Sequence, residues 1–178
     1  MSTIRYTSFP STQPPPHFAK PIADAFTVSE SFIATESGCG LISNEVLKIV
    51  RPNLINLGFD VEGSPGSQSK IHRPVYYGEF GNPTLNYQVD AYHPAWKCGI
   101  EIEAGRSLMG NAVYRDLIQA MIMTQIDHLI IAIPNSYKYK SSGRTTISRD
   151  YEKSCEIARA LYGHDRVALP FGLTLLGY

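Results

Sequence analysis

The chain has 178 residues, 43% hydrophobic and 18% charged, a composition that fits one globular domain with a sizeable core. Net charge is +0 and the pI about 7.0, so overall charge does not advertise nucleic-acid binding, although an acidic site would offset basic contact surfaces in the sum. No apolar run reaches transmembrane length and the N-terminus lacks the apolar stretch of a signal peptide, so a cytoplasmic protein without a membrane partner is expected. Cys39, Cys98 and Cys155 stand far apart with no CxxC pair, which argues against a zinc knuckle and a disulfide framework.

Residues 1–25 are polar and proline-rich, with Pro14, Pro15 and Pro16 in a row, and read as an arm ahead of a single domain over residues 26–178. Residues 41–57 carry apolar side chains at helical spacing, with Ser43 or Asn44 able to cap the helix. Pro52 is expected to bend or split it, and Gly58 to end it. Residues 59–62 read as a short strand and 63–70 as a loop. Residues 75–80, 85–89 and 96–104 then read as a three-stranded antiparallel meander. A second helix is expected from Asn111 to about Gln125, with Val113, Leu117, Ala120, Met121 and Thr124 on one face and Arg115 and Gln119 on another. Residues 128–133 are continuously apolar, as in a strand buried on both faces, and the crossover through the helix makes the sheet mixed. Residues 135–146 read as a polar loop whose Tyr137, Lys138, Lys140 and Arg144 suit phosphate contact and base stacking. A third helix covers residues 149–162, and residues 167–169 and 173–176 close the chain as an edge strand or a strand pair around Pro170.

The stretch that carries chemistry is residues 87–106, YQVDAYHPAWKCGIEIEAGR. Strand alternation sends Ile100 and Ile102 to one face and Glu101 and Glu103 to the other. Adjacent carboxylates repel and resist desolvation, and Mg²⁺ or Mn²⁺ relieves that cost through oxygen ligation. Asp90 joins them if an even-numbered loop connects the strands around His93 and Pro94. With Tyr92 facing Lys97, Asp90 lies opposite Gly99 and diagonal to Glu101, roughly 7 Å away. The plain alternative is an edge strand with solvated glutamates. Arg106, just beyond the strand, can serve as a cation beside the carboxylates or form a salt bridge to Glu103. Glu79 could also face the metal, but its place beside a turn favours a solvent-facing side chain. Cys98 shares the face of Ile100, away from the glutamates, which argues against thiol catalysis.

Asp90 followed by Glu101-Ile102-Glu103 after a hairpin resembles the signature of the PD-(D/E)XK nuclease superfamily, which contains many type II restriction endonucleases. The resemblance covers about residues 41–134. Val89 stands where the signature has proline, and Glu103 where lysine is usual. The resemblance implies an α/β, restriction-endonuclease-like core, with a central mixed sheet (antiparallel meander plus crossover strand) flanked by helices. It implies Asp90, Glu101 and Glu103 as ligands for Mg²⁺, with Mn²⁺ as substitute, and Glu103 as further ligand or general base. Arg106 would cover for the lysine, Glu45 would reach in from the first helix, and Arg115 or Gln119 from the second. The implied reaction is hydrolysis of DNA phosphodiester bonds, on duplex rather than single strand. Lys138, Lys140, Arg144 and Tyr137 would hold the backbone. A homodimer is expected, because one site cuts one strand and a palindrome matches a two-fold axis. Two other readings stand beside it: an inactive nucleic-acid- or partner-binding module on the same fold, and a metal-dependent hydrolase of a small phosphorylated substrate.

Overall fold

A computed structural model of the chain describes residues 2–34, 40–63, 70–105, 111–141 and 143–178. In chain order the elements are β1 (Arg5–Phe9), α1 (Ala19–Val28), α2 (Glu30–Ile33), α3 (Ser43–Asn56), β2 (Asp60–Val61), β3 (Ile71–Tyr77), β4 (Pro83–Val89), β5 (Ala91–His93), β6 (Cys98–Ile102), α4 (Ala112–Ile122), β7 (His128–Ile133), β8 (Tyr137–Ser141), β9 (Arg144–Ser148), α5 (Asp150–Gly163) and β10 (Gly172–Gly177).

A strand with five consecutive apolar residues, 129–133, is desolvated only if both of its faces are covered. β7 meets that condition at the centre of a six-stranded sheet, ordered β1-β10-β7-β6-β5-β2. Ile130 and Ala132 point into a core shared with Ile22 and Phe26 of α1 and Val46, Leu47, Val50 and Leu54 of α3. Leu129, Ile131 and Ile133 point the other way, against Val113, Leu117 and Ala120 of α4 and Tyr151, Cys155 and Ala158 of α5. The protein is thus α/β, with a mixed central sheet between helical layers. The β6–β7 and β7–β10 pairs are parallel, and β1–β10, β5–β6 and β2–β5 antiparallel.

Several expectations need correction. Residues 2–25 are no arm: β1 pairs along its length with β10, and Phe18, Ile22, Ala23 and Ala25 are buried. Pro21 sits in the first turn of α1, where the missing N–H has no intrahelical partner to lose. Pro52 does not split α3, which runs unbroken through it. The Pro52 ring is exposed, and the carbonyl it leaves unbonded belongs to Lys48, on the solvent side of the helix. The three-stranded meander is divided: β3 and β4 form a two-stranded ribbon of their own, and the chain bends at Asp90 before β5 joins the main sheet. Residues 135–146 are no loop; β8 and β9 form a second antiparallel ribbon. β10 is an interior strand between β1 and β7 rather than an edge.

Candidate active site

β6 follows its alternation. Cys98, Ile100 and Ile102 are buried against α1 and α3, and burial pushes the Cys98 thiol far up, so it is no nucleophile. Glu101 and Glu103 consequently face the α4 side. The turn between β5 and β6 has four residues, an even number as the convergence requires, but the register lies two residues along from the expected one: Tyr92 faces Gly99 and Ala91 faces Ile100. Asp90 therefore reaches further up β6. Its backbone N–H donates to the Ile100 carbonyl at 3.1 Å, and its Oδ2 accepts from the Ile102 N–H at 2.7 Å.

A fourth carboxylate completes the group. Asp116, 1% exposed, comes from α4, where Val113, Leu117 and Ala120 bury the neighbouring positions. Arg115 Nη2 lies 2.9 Å from both Glu103 Oε1 and Asp116 Oδ1, and its Nε donates to Asp116 Oδ1 at 3.0 Å. Asp116 Oδ2 is buried without a donor. On the other flank, the Glu62 N–H donates to the Asp90 carbonyl at 2.8 Å, and Lys70 Nζ lies 3.3 Å from Glu62 Oε1 and donates to Gln88 Oε1 at 2.9 Å. Asp90, Glu101, Asp116, Glu62, Lys70 and Arg115 line one polar cleft of about 440 Å³, together with the side-chain amides of Asn44, Asn86, Gln88 and Gln119.

The acids are held away from water and close to each other, and both effects favour the protonated form. Desolvation pushes Asp90 up to about 6, with Glu62 and Asp116 adding to it, while the Ile102 N–H and Lys70 pull the other way. Desolvation and then the charges of Asp90, Asp116 and Glu103 raise Glu101 well above the carboxylate range, against the pull of Arg115. Glu103 is pushed up to about 8 by burial and by Asp116, with which it shares a hydrogen bond when protonated. Burial also raises Asp116, though Arg115 opposes it. Carboxylates in such a group need either protons or a cation between them.

The sequence-derived residues divide accordingly. Asp90 and Glu101 line the cleft, Glu103 adjoins it through Arg115, and Arg115 and Gln119 both reach it. Glu45 does not: it is exposed, its Oε2 accepts from the Ile42 N–H as part of a capping arrangement, and Asn44 lines the cleft in its place. Arg106 lies outside the described residues; Arg115 makes a salt bridge to Glu103. Glu79 is exposed, as read. Tyr137, Lys138 and Arg144 lie on the β8–β9 ribbon, with Lys138 and Arg144 exposed; the Lys140 side chain is outside the described set. This ribbon adjoins the end of the acidic strand. Gly105 turns the chain out at φ +82°, and a Cβ built there would lie 3.8 Å from the Tyr137 ring. Asp116 and Glu62 were missed. An aspartate on the apolar stripe of α4 was the available signal for the first; Glu62, just past the two-residue edge strand β2, offered none.

Among the described residues no three His, Cys, Asp or Glu side chains form a ready-made metal cage. The donor set nevertheless fits a hard divalent cation: all the acids bear oxygen, Asp90 and Glu103 are pushed up to about 6 and about 8, and one buried oxygen has no donor. The chain matches no protein-family model and no curated protein. Among the described residues no helix is long and apolar enough to cross a membrane.

Proposed function

We propose that this protein is a metal-dependent endonuclease with a restriction-endonuclease-like core, hydrolysing phosphodiester bonds of duplex DNA. One observation carries the reading: carboxylates from the β4–β5 bend, β6 and α4 converge on an open polar cleft, and the buried Asp116 Oδ2 lacks a donor. Asp90 and Glu101 would hold Mg²⁺ or Mn²⁺, with Glu103 as a further ligand or as the base that takes a proton from water. The bound cation supplies Lewis-acid polarisation of the phosphate and a more acidic water. Asp116 and Glu103 hold Arg115 by its guanidinium, a fixed positive group for phosphate charge in place of the usual lysine. Lys138, Arg144 and Tyr137 on the neighbouring ribbon supply backbone contacts. Cutting both strands calls for a homodimer, and the reading places the protein in the cytoplasm.

Incubation of supercoiled and linear duplex DNA with Mg²⁺, Mn²⁺ or EDTA, for wild type and Glu101→Gln, tests this. The expected outcome is metal-dependent cutting that falls by about a thousandfold or more in the variant, equivalent to ~4 kcal/mol of barrier. A folded wild type that takes up no metal and cuts no DNA points instead to a binding module on this fold.

A further inference from the structure

The β3–β4 ribbon stands apart from the main sheet. Its inner face is fixed: Ile71, Val75 and Tyr87 pack on the core beneath α4 and α5. Its outer face is not apolar. Asn86 and Gln88 are exposed there, His72 lies opposite Gln88, and both amides line the acidic cleft. The Gln88 Oε1 accepts from Lys70, which leaves its NH₂ group for other partners, and Asn86 makes no side-chain hydrogen bond among the described residues. At the far end Phe80 is 97% exposed, beside the exposed Tyr76 and Tyr77, an aromatic tip that gains by cover.

Strand geometry ties these amides to the acids. Asn86 and Gln88 share one face of β4, Asp90 follows two residues on at the bend that ends the strand, and all three line the cleft. Two residues of strand rise roughly 6.8 Å, the span of two base-pair steps of duplex DNA. A two-stranded ribbon also fits the major groove, where a carboxamide matches the N6–H donor and N7 acceptor of adenine.

We propose that the β3–β4 ribbon is the sequence-reading element for a duplex DNA substrate, with Gln88 and Asn86 each pairing with an adenine in the major groove within a few base pairs of the cut. The proposal rests on the nuclease reading for the position of the cut, and on the ribbon alone for the reading of bases.

The test uses a random-sequence duplex library. Cut ends are sequenced after digestion with Mg²⁺ or Mn²⁺, and bound duplexes are recovered in Ca²⁺, for wild type, Asn86→Ala, Gln88→Ala and Lys138→Ala. Wild type is expected to enrich adenine at two positions about two base pairs apart. Each amide variant, altered at an exposed position that leaves the fold intact, loses one of the two enrichments by about 10- to 100-fold. Lys138→Ala lowers recovery at all sequences alike. Cutting without base preference, or with a preference that both amide variants retain, overturns the ribbon proposal and leaves the nuclease standing. An adenine preference in the bound pool that the variants lose, without cutting, supports the ribbon and overturns the nuclease. Neither cutting nor binding by wild type overturns both.

Discussion

β6 has two faces that differ by one residue of register and by everything else. On one, Cys98, Ile100 and Ile102 disappear into a core closed by α1 and α3. On the other, Glu101 and Glu103 meet Asp90 and Asp116, and all four are shifted toward their protonated forms. The first face stabilises the fold; the second opposes it and prepares a site for positive charge. The same backbone hydrogen bonds hold both, so the apolar face supplies the free energy that keeps the acids together.

Three changes probe that contrast. Ile100→Ala strikes the stabilising face: the side chain is fully buried, and the variant is expected to lose about 2–5 kcal/mol in denaturant unfolding. A loss under about 1 kcal/mol would mean the apolar face is not what supports the strand. Glu101→Gln strikes the other face with the opposite sign. Replacing a desolvated acid among like charges by its neutral isostere should raise the stability of the metal-free protein at pH 8 by about 1–2 kcal/mol. A destabilised variant would argue that Glu101 is held by favourable contacts.

The smallest effect per step is the pH dependence of the metal-free protein. Folded, Asp90 and Glu103 keep their protons up to about 6 and about 8. In the unfolded chain both release them near about 4. The native state therefore binds more protons between those values, and stability falls as pH rises through the window, by at most ~1.4 kcal/mol per pH unit for each group. Below about pH 4 the contribution is complete; above about 8 it is gone. Thermal unfolding from pH 5 to 8 checks the slope, and adding Mg²⁺ or Mn²⁺ should raise the Tm more at pH 8 than at pH 6. A flat profile would show that the acids are solvated.

What the sequence discloses follows from where the physics is local. The alternation of Ile and Glu on β6 and the parity of its turn depend on neighbours in the chain, and both are readable. The register of that turn is not, because Asp90 is positioned by the Ile102 N–H and by β2, which sequence does not rank against a looser pairing. Asp116 is hidden for a different reason: a helical pattern identifies Val113, Leu117 and Ala120 as core, and a polar residue among them reads as noise until β6 is placed opposite. The prolines of residues 10–21 mask a strand and a helix whose burial comes from residues far along the chain, and β10 reads as an edge because its neighbours are distant in sequence.

The place of β10 bears on how the chain comes to be folded. Ser8 and Thr174, hydrogen-bonded across the β1–β10 pair at 2.8 Å, are 166 residues apart in sequence. During synthesis β1 emerges before β10, the strand it pairs with in the sheet, while β7 stands with one rim of its backbone unpaired. Closing so long a loop is slow. Insertion of β10 is thus a late, long-range event that seals the sheet, and a nascent chain halted before it would offer the β7 rim to any passing strand.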